Sequence, residues 1–86
     1  MVTVRRALAI IQSIQASNLV GVDPTINQIS KPIMQCSRAT IYRAMPHMVK
    51  LGLIEPIMLT YEDGNTVVYQ VTSEGEQFAE SCKVLL

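Results

Sequence analysis

The fold is decided by residues 37–72, which read SRATIYRAMPHMVKLGLIEPIMLTYEDGNTVVYQVT. Ser37 is a residue that commonly caps a helix N-terminus. From Ile41 onward, apolar side chains recur at positions i, i+4 and i+7, with Ala44 and Leu51 beside them, which is the spacing of one helix face. Because Gly52 is typical of the position just past a helix C-terminus, we predict a helix over residues 38–51 with this apolar stripe in the core.

The side of this predicted helix opposite the apolar stripe is basic. Arg43 and Lys50 lie there, with Arg38 beside them and Pro46 inside the same helix. Proline lacks an amide proton, and its ring clashes with the preceding turn. We therefore expect Pro46 to kink the helix or to end its regular part early.

Two β-like runs follow the helix, at residues 57–61 and 66–72, and both are rich in β-branched and aromatic side chains. Residues 62–65, Glu-Asp-Gly-Asn, join them. An Asp-Gly pair between two such runs favours a hairpin turn in which both central residues have positive φ. We therefore predict a β-hairpin with an acidic tip. Both runs are apolar on both faces, so the sequence leaves open which face is buried.

Further helices are predicted on both sides of this segment. Residues 3–17 have apolar side chains at helical spacing, namely Val4, Ala7, Leu8, Ile10, Ile11 and Ile14. A capping box at residues 25–28 begins a short second helix, which Pro32 should end near Ser30. A second capping box, with Ser73 as the cap, begins a last helix that runs to about residue 84. The predicted fold class is therefore α+β.

The composition restricts the class of protein. A chain of 86 residues has the size of a single domain, residues 1–86. Apolar residues make up 49% of the chain and charged residues 16%, which is too apolar for intrinsic disorder. No apolar run approaches the ~20 residues that cross a bilayer. We expect a cytoplasmic protein without a membrane segment.

Few residues suit catalysis or the binding of a metal. The chain has two cysteines, Cys36 and Cys82, and one histidine. It contains no CxxC pair, no Gly-rich phosphate loop and no GxSxG motif. We therefore predict no enzyme activity, no metal and no cofactor, and we expect both cysteines to be reduced and packed.

The zero net charge conceals a strong asymmetry along the chain. Residues 24–54 carry four basic side chains and no acidic one, whereas residues 55–86 carry six acidic side chains and one lysine. A local positive field attracts anionic ligands even when the total charge is zero. The basic residues therefore indicate either an anion-binding helix face or an ordinary solvated one.

Three motifs, taken in order, resemble a known family. The run SRATIYRAM at residues 37–45 is followed by LGLIE at 51–55 and by YQVTSEGE at 69–76. Over about residues 25–80 the chain is similar to winged helix-turn-helix transcriptional regulators of the MarR and PadR type. The resemblance implies a three-helix core, a β-hairpin wing and a C-terminal helix. It also implies a repressor-like homodimer that binds double-stranded DNA sequence-specifically, with a recognition helix at about 37–51 in the major groove.

The resemblance further implies which side chains contact DNA. Those placed at or near the major groove are Ser37, Arg38, Thr40, Tyr42 and Arg43, with His47 on the same helix. An arginine reads guanine through two parallel donors, while Lys31 and Lys50 are better suited to neutralising phosphates. Asn65 and Thr66 are the wing residues that would touch a phosphate, although the acidic tip should repel DNA.

The chain is shorter than MarR-type regulators, so we expect a homodimer to use helix one and the C-terminal helix. The apolar residues 84–86 would then be buried against the partner. A different function is left open by the same sequence. The zero net charge, the acidic wing and the apolar ends also suit a protein–protein interaction module in a replication, partition or inhibitory complex.

Overall fold

The computed structural model describes residues 3–33 and 37–85, and it describes side chains up to residue 83. In chain order, the elements are α1 (Val4–Leu19), α2 (Ile26–Ser30), α3 (Arg38–Lys50), β1 (Ile54–Tyr61), β2 (Gly64–Val71) and α4 (Ser73–Leu85). Three helices, an antiparallel hairpin and a last helix therefore follow one another as predicted, and the α+β fold class is confirmed.

The core is formed by one face of each of the first three helices, by the base of the hairpin and by Ala79 and Cys82 of α4. Its largest fully buried side chains include Ile10, Ile11, Ile14, Ile29, Ile41, Met45, Met48 and Ile54. The predicted apolar stripes are confirmed except at two helix ends. Val4 is 63% exposed and Leu51 is 62% exposed. Each lies at the margin of its helix, where no neighbouring element covers it, so the helical periodicity overestimated its burial.

The connection between α1 and α2 is tied to β2 through Asp23. Its Oδ1 accepts hydrogen bonds from the side-chain amides of Asn18 at 3.1 Å and Gln70 at 3.2 Å. Nearby, the Tyr69 N–H donates to the carbonyl of Pro24 over 3.0 Å. The bonds made by Gln70 and Tyr69 join residues that are more than 40 positions apart, and so they fix the hairpin against the helical core.

The capping box that begins α2 is confirmed. The Gln28 amide donates to the Thr25 hydroxyl over 3.3 Å, and the Thr25 amide donates to the Gln28 side chain over 2.9 Å. α2 ends at Ser30, as Pro32 predicts. The rest of the connection to α3 passes through residues 34–36, which lie outside the described residues, as does the predicted packing of Cys36.

The hairpin turn differs from the predicted one. Tyr61 pairs with Gly64, so the two central turn residues are Glu62 and Asp63 rather than the Asp-Gly pair. Among the described residues no non-glycine has positive φ, whereas Gly64 has a φ of 140°. The prediction of two central residues with positive φ is therefore wrong. Glycine instead occupies the position after the central pair, which is its usual place when the turn is of type I.

β1 is longer at the base than predicted, since it begins at Ile54, whereas β2 is longer at the turn, since it begins at Gly64 and ends at Val71. β1 includes Pro56, opposite Tyr69. The Tyr69 amide points away from β1, towards Pro24. In an antiparallel ladder this makes Pro56–Tyr69 a pair without hydrogen bonds, so the missing proline amide breaks none. Burial raises the pKa of the Tyr69 phenol.

The buried face of the hairpin, which the sequence left open, changes along its length. At the base Ile54 is fully buried, whereas the next two residues, Glu55 and Pro56, are exposed. Farther out, Val68 is buried and its neighbour Ile57 is half-buried, while Met58 on the opposite face is 64% exposed. The outer part of the wing therefore has one face turned inward and one apolar face in solvent.

α4 begins at Ser73, the residue that was predicted to cap it from outside the helix. Ser73 is the first helical residue, and the Thr72 hydroxyl accepts the hydrogen bond from the Gly75 amide over 3.0 Å. The same hydroxyl donates to the carbonyl of Gly52, which follows α3. The prediction that Ser73 is the cap is therefore wrong. Thr72 caps instead, because its hydroxyl also has a tertiary acceptor at the end of α3.

α3 continues through Pro46 to Lys50, so the expectation that Pro46 ends its regular part early is wrong. Pro46 lies on the exposed side of the helix. The carbonyl of Tyr42, which loses its helical donor there, is therefore accessible to water.

Cys82 is free and buried, as predicted. No helix among residues 3–33 and 37–85 is both long and apolar enough to cross a membrane.

Candidate functional site

The exposed side of α3 is the most prominent candidate surface. Its exposed residues are Arg38, Ala39, Tyr42, Arg43, Pro46, His47 and Lys50. With about 3.6 residues per turn, Arg43 and Lys50 lie two turns apart on nearly the same line of the helix. The short side chains of Ala39 and Pro46 lie beside that line, so the longer basic side chains protrude beyond their neighbours. We call this surface the basic face of α3.

The start of α3 is fixed by Ser37. Its hydroxyl accepts a hydrogen bond from the Thr40 amide over 3.2 Å, and it shares a second hydrogen bond with the Thr40 hydroxyl over 2.9 Å. No acidic residue lies in the first turn. The helix N-terminus therefore keeps its partial positive charge, which favours an anion such as phosphate.

The cations of the basic face make no ion pair with a described carboxylate. Within residues 3–33 and 37–83 the only ion pair joins Lys83 to Glu80 over 3.6 Å, and it lies on α4. Arg38, Arg43 and Lys50 are thus available to a ligand. Lys31 is also exposed, but it lies at the end of α2 rather than on α3.

One side of the basic face continues onto α1. A hollow of about 250 Å³ is lined by Arg6 of α1 and by Thr40, Arg43, Ala44 and His47 of α3. We call it the α1–α3 hollow. It brings three of the sequence-predicted residues together and adds Arg6, which the sequence reasoning missed. The only signal for Arg6 was that residues 1–22, like residues 24–54, contain no acidic side chain.

The tip of the wing has the opposite charge. Glu62 and Asp63 form its turn and are exposed, and Asn65 is exposed beside them. Thr66 is half-buried and pairs with Leu59. The two predicted wing contacts thus lie next to an acidic turn, whose carboxylates would repel a phosphate.

No metal site is evident in the part of the chain that the structure describes, where no three His, Cys, Asp or Glu side chains come together. His47 instead lies among basic neighbours in the α1–α3 hollow. Its surroundings suit an anion better than a metal cation.

No family model and no curated protein sequence matches the chain. Solved structures do match. A PadR family transcription regulator from hypervirulent Clostridium difficile is 22% identical, with a TM-score of 0.74, over 90% of this chain and 81% of that one. A protein of Archaeoglobus fulgidus, AF1382, is 20% identical, with a TM-score of 0.72, over 94% of this chain and 84% of that one.

A third similar structure is the oxidised form of MarR from E. coli. It is 19% identical, with a TM-score of 0.61, over 87% of this chain and 48% of that chain. At these identities the likenesses establish the fold. The chain has a winged helix-turn-helix fold of the kind found in PadR and MarR proteins, as the order of its motifs predicts. In this fold α2 and α3 form the helix-turn-helix and the β1–β2 hairpin is the wing.

Proposed function

We propose that this chain is a sequence-specific DNA-binding transcriptional regulator whose α3 enters the major groove. The observation that carries the proposal is the basic face of α3, which is exposed on the second helix of a helix-turn-helix and is unpaired within the described residues. Arg38 and Arg43 would read base edges, because a guanidinium matches the two acceptors of guanine. Lys31 and Lys50 would neutralise phosphates.

The proposal includes a homodimer formed through α1 and α4. Leu19 and Val20 at the end of α1 are 87% and 76% exposed, which favours burial in a partner. A groove of about 360 Å³ between α1 and α4 is lined in part by Leu19 and by Glu76. To bind two half-sites, such a dimer would have to hold its two α3 helices ~34 Å apart, in successive major grooves. Such a dimer would act in the cytoplasm as a repressor, by occupying an operator.

Binding to random duplex DNA at two salt concentrations tests this function. If a dimer neutralises about six phosphates, affinity should fall roughly 10³-fold between about 50 and 200 mM salt, because bound counterions are released. Selection of bound fragments from random DNA should then yield a palindrome, since a two-fold dimer reads two equal half-sites. Absence of binding at low salt would contradict the proposal.

Arg43→Ala should reduce affinity for the selected site by about 1–3 kcal/mol and relax the preference for one base pair. Lys50→Ala is the matched variant, since both residues are exposed on the same line of α3. Lys50→Ala should weaken binding equally on all sequences, and the slope of log affinity against log salt concentration should be lowered by about 1. Competition assays with selected and scrambled duplexes measure both. Equal loss on both duplexes in Arg43→Ala would remove Arg43 from base readout.

A protein-interaction module is the second candidate, and the wing favours it. Its turn carries Glu62 and Asp63, and Met58 and Tyr61 expose apolar surface close to these acids. A basic partner with an apolar anchor would suit that surface better than DNA does. The salt experiment separates the two candidates, because this one predicts no duplex binding even at low salt.

A further inference from the structure

The α1–α3 hollow gathers hydrogen-bond donors from two helices. Arg6 approaches it from the first turns of α1, and Arg43 and His47 approach it from α3. The Thr40 hydroxyl is the fourth polar group, and buried Ala44 also lines the hollow. Each of the four polar side chains is able to donate a hydrogen bond. Because the alanine side chain is short, it leaves space between these donors.

The charge in the hollow is not balanced by either helix that forms it. Neither α1 nor α3 contains an acidic residue. The nearest acid along the chain from Arg6 is Asp23, which follows the other end of α1, roughly 20 Å away along the helix. Asp23 is also engaged by the amides of Asn18 and Gln70. Two guanidinium groups at one small space repel each other, and an anion between them replaces that repulsion with attraction.

We propose that the α1–α3 hollow is a seat for one phosphate group. A guanidinium binds phosphate oxygens through two parallel N–H donors, so Arg6 would hold it in this way, while the charge of Arg43 would attract it from the α3 side and leave the Arg43 donors to the base edge. The His47 N–H supplies a further donor. The Ser37 hydroxyl already accepts from the Thr40 amide, and when it donates to the Thr40 hydroxyl, the Thr40 proton is free for the anion.

The phosphate has two sources that the chemistry alone does not separate, a nucleic-acid backbone and a free phosphate ion. In the first case the inference rests on the proposed function, since the hollow borders the basic face of α3. A phosphate held there would flank the groove that α3 enters. Arg6 would then be a backbone anchor that strengthens binding to all sequences alike, whereas base choice would stay with α3.

The first arm of the test titrates the full chain with inorganic phosphate at constant ionic strength, set with chloride. Backbone amide signals of Thr40, Ala44 and His47 should shift together and saturate. Arg6→Gln should weaken this binding on the order of tenfold, which is the effect of one charge-assisted hydrogen bond. Arg6→Lys keeps the charge and should recover part of the affinity. Uniform small shifts across the chain would overturn a specific seat.

The second arm measures affinity for random duplex DNA. Arg6→Gln should lower it several-fold and reduce the salt slope by about 1, which corresponds to one phosphate contact. Arg5→Gln is the matched control: it removes the same charge one residue away, from an exposed side chain that does not line the hollow. Its effect should stay within about twofold, since exposed charges are screened beyond ~10 Å. Thermal unfolding of both variants checks that they fold equally.

The two arms separate this inference from the proposed function. Phosphate binding that depends on Arg6, without duplex binding, would support the seat and overturn the regulator. Duplex binding that is equally sensitive to Arg5→Gln and Arg6→Gln, without a local response to phosphate, would overturn the seat and leave the regulator standing. Effects of Arg6→Gln in both arms would support the seat as a backbone contact.

Discussion

Gly75→Ala is expected to destabilise the protein by about 1–3 kcal/mol, even though alanine is the better helix former by up to about 1 kcal/mol. Gly75 is buried in the first turn of α4. A Cβ at this position would overlap the carbonyl oxygen of Leu53 and would lie 2.8 Å from Val71 Cγ1. Because the main obstacle is backbone, a change of side-chain rotamer does not relieve it, and α4 has to move away from the start of β1.

The matched control is Gln77→Ala, two residues along α4 at an exposed position. Removal of that side chain should change stability by less than about 0.5 kcal/mol. Urea unfolding followed by circular dichroism gives both free energies. The midpoint temperature of Gly75→Ala should fall by roughly 4–8 °C for each kcal/mol lost. A Gly75→Ala protein as stable as the wild type would show that α4 does not need this close approach.

The order of elements was predictable because local patterns determine it. The helical spacing of apolar residues in α1 and α3 shows which side chains face the core. The runs rich in β-branched and aromatic residues predict the two strands. The hairpin register was not predictable in the same way. An Asp-Gly pair favours one turn locally, but the pairing of Tyr61 with Gly64 determines which residues lie at its centre. That pairing depends on the whole ladder, so a local signal placed the turn one residue too late.

The candidate site shows the same difference between features that are set within one element and features that depend on two. The basic face of α3 follows from the period of one helix, so Arg43 and Lys50 were placed on it from sequence alone. Arg6 belongs to another helix, and its neighbours depend on how α1 crosses α3. The need for glycine at position 75 also depends on a second element, the carbonyl of Leu53. Contacts between elements leave no periodic trace in the sequence.

Ile41→Ala should be among the most damaging substitutions in α3, with a loss of about 2–5 kcal/mol in the free energy of unfolding. Ile41 is fully buried in the core cluster on the side of α3 opposite its basic face. Truncation removes three buried carbons and leaves a cavity that the neighbouring side chains fill only in part. Since small domains have about 5–15 kcal/mol in total, a large part of the stability would be lost.

Ile41→Val removes a single methylene from the same place and should cost only about 0.5–1.5 kcal/mol, so the two variants form a graded series. Arg43→Ala is the inverse control, because an exposed side chain contributes little to folding while the proposed function requires it for binding. Urea unfolding and duplex affinity are measured on all three. Ile41→Ala should lower stability while the folded fraction keeps near-normal affinity, and Arg43→Ala should do the reverse. If Ile41→Ala and Ile41→Val were equally stable, the core would not be what holds α3 with its basic face in solvent.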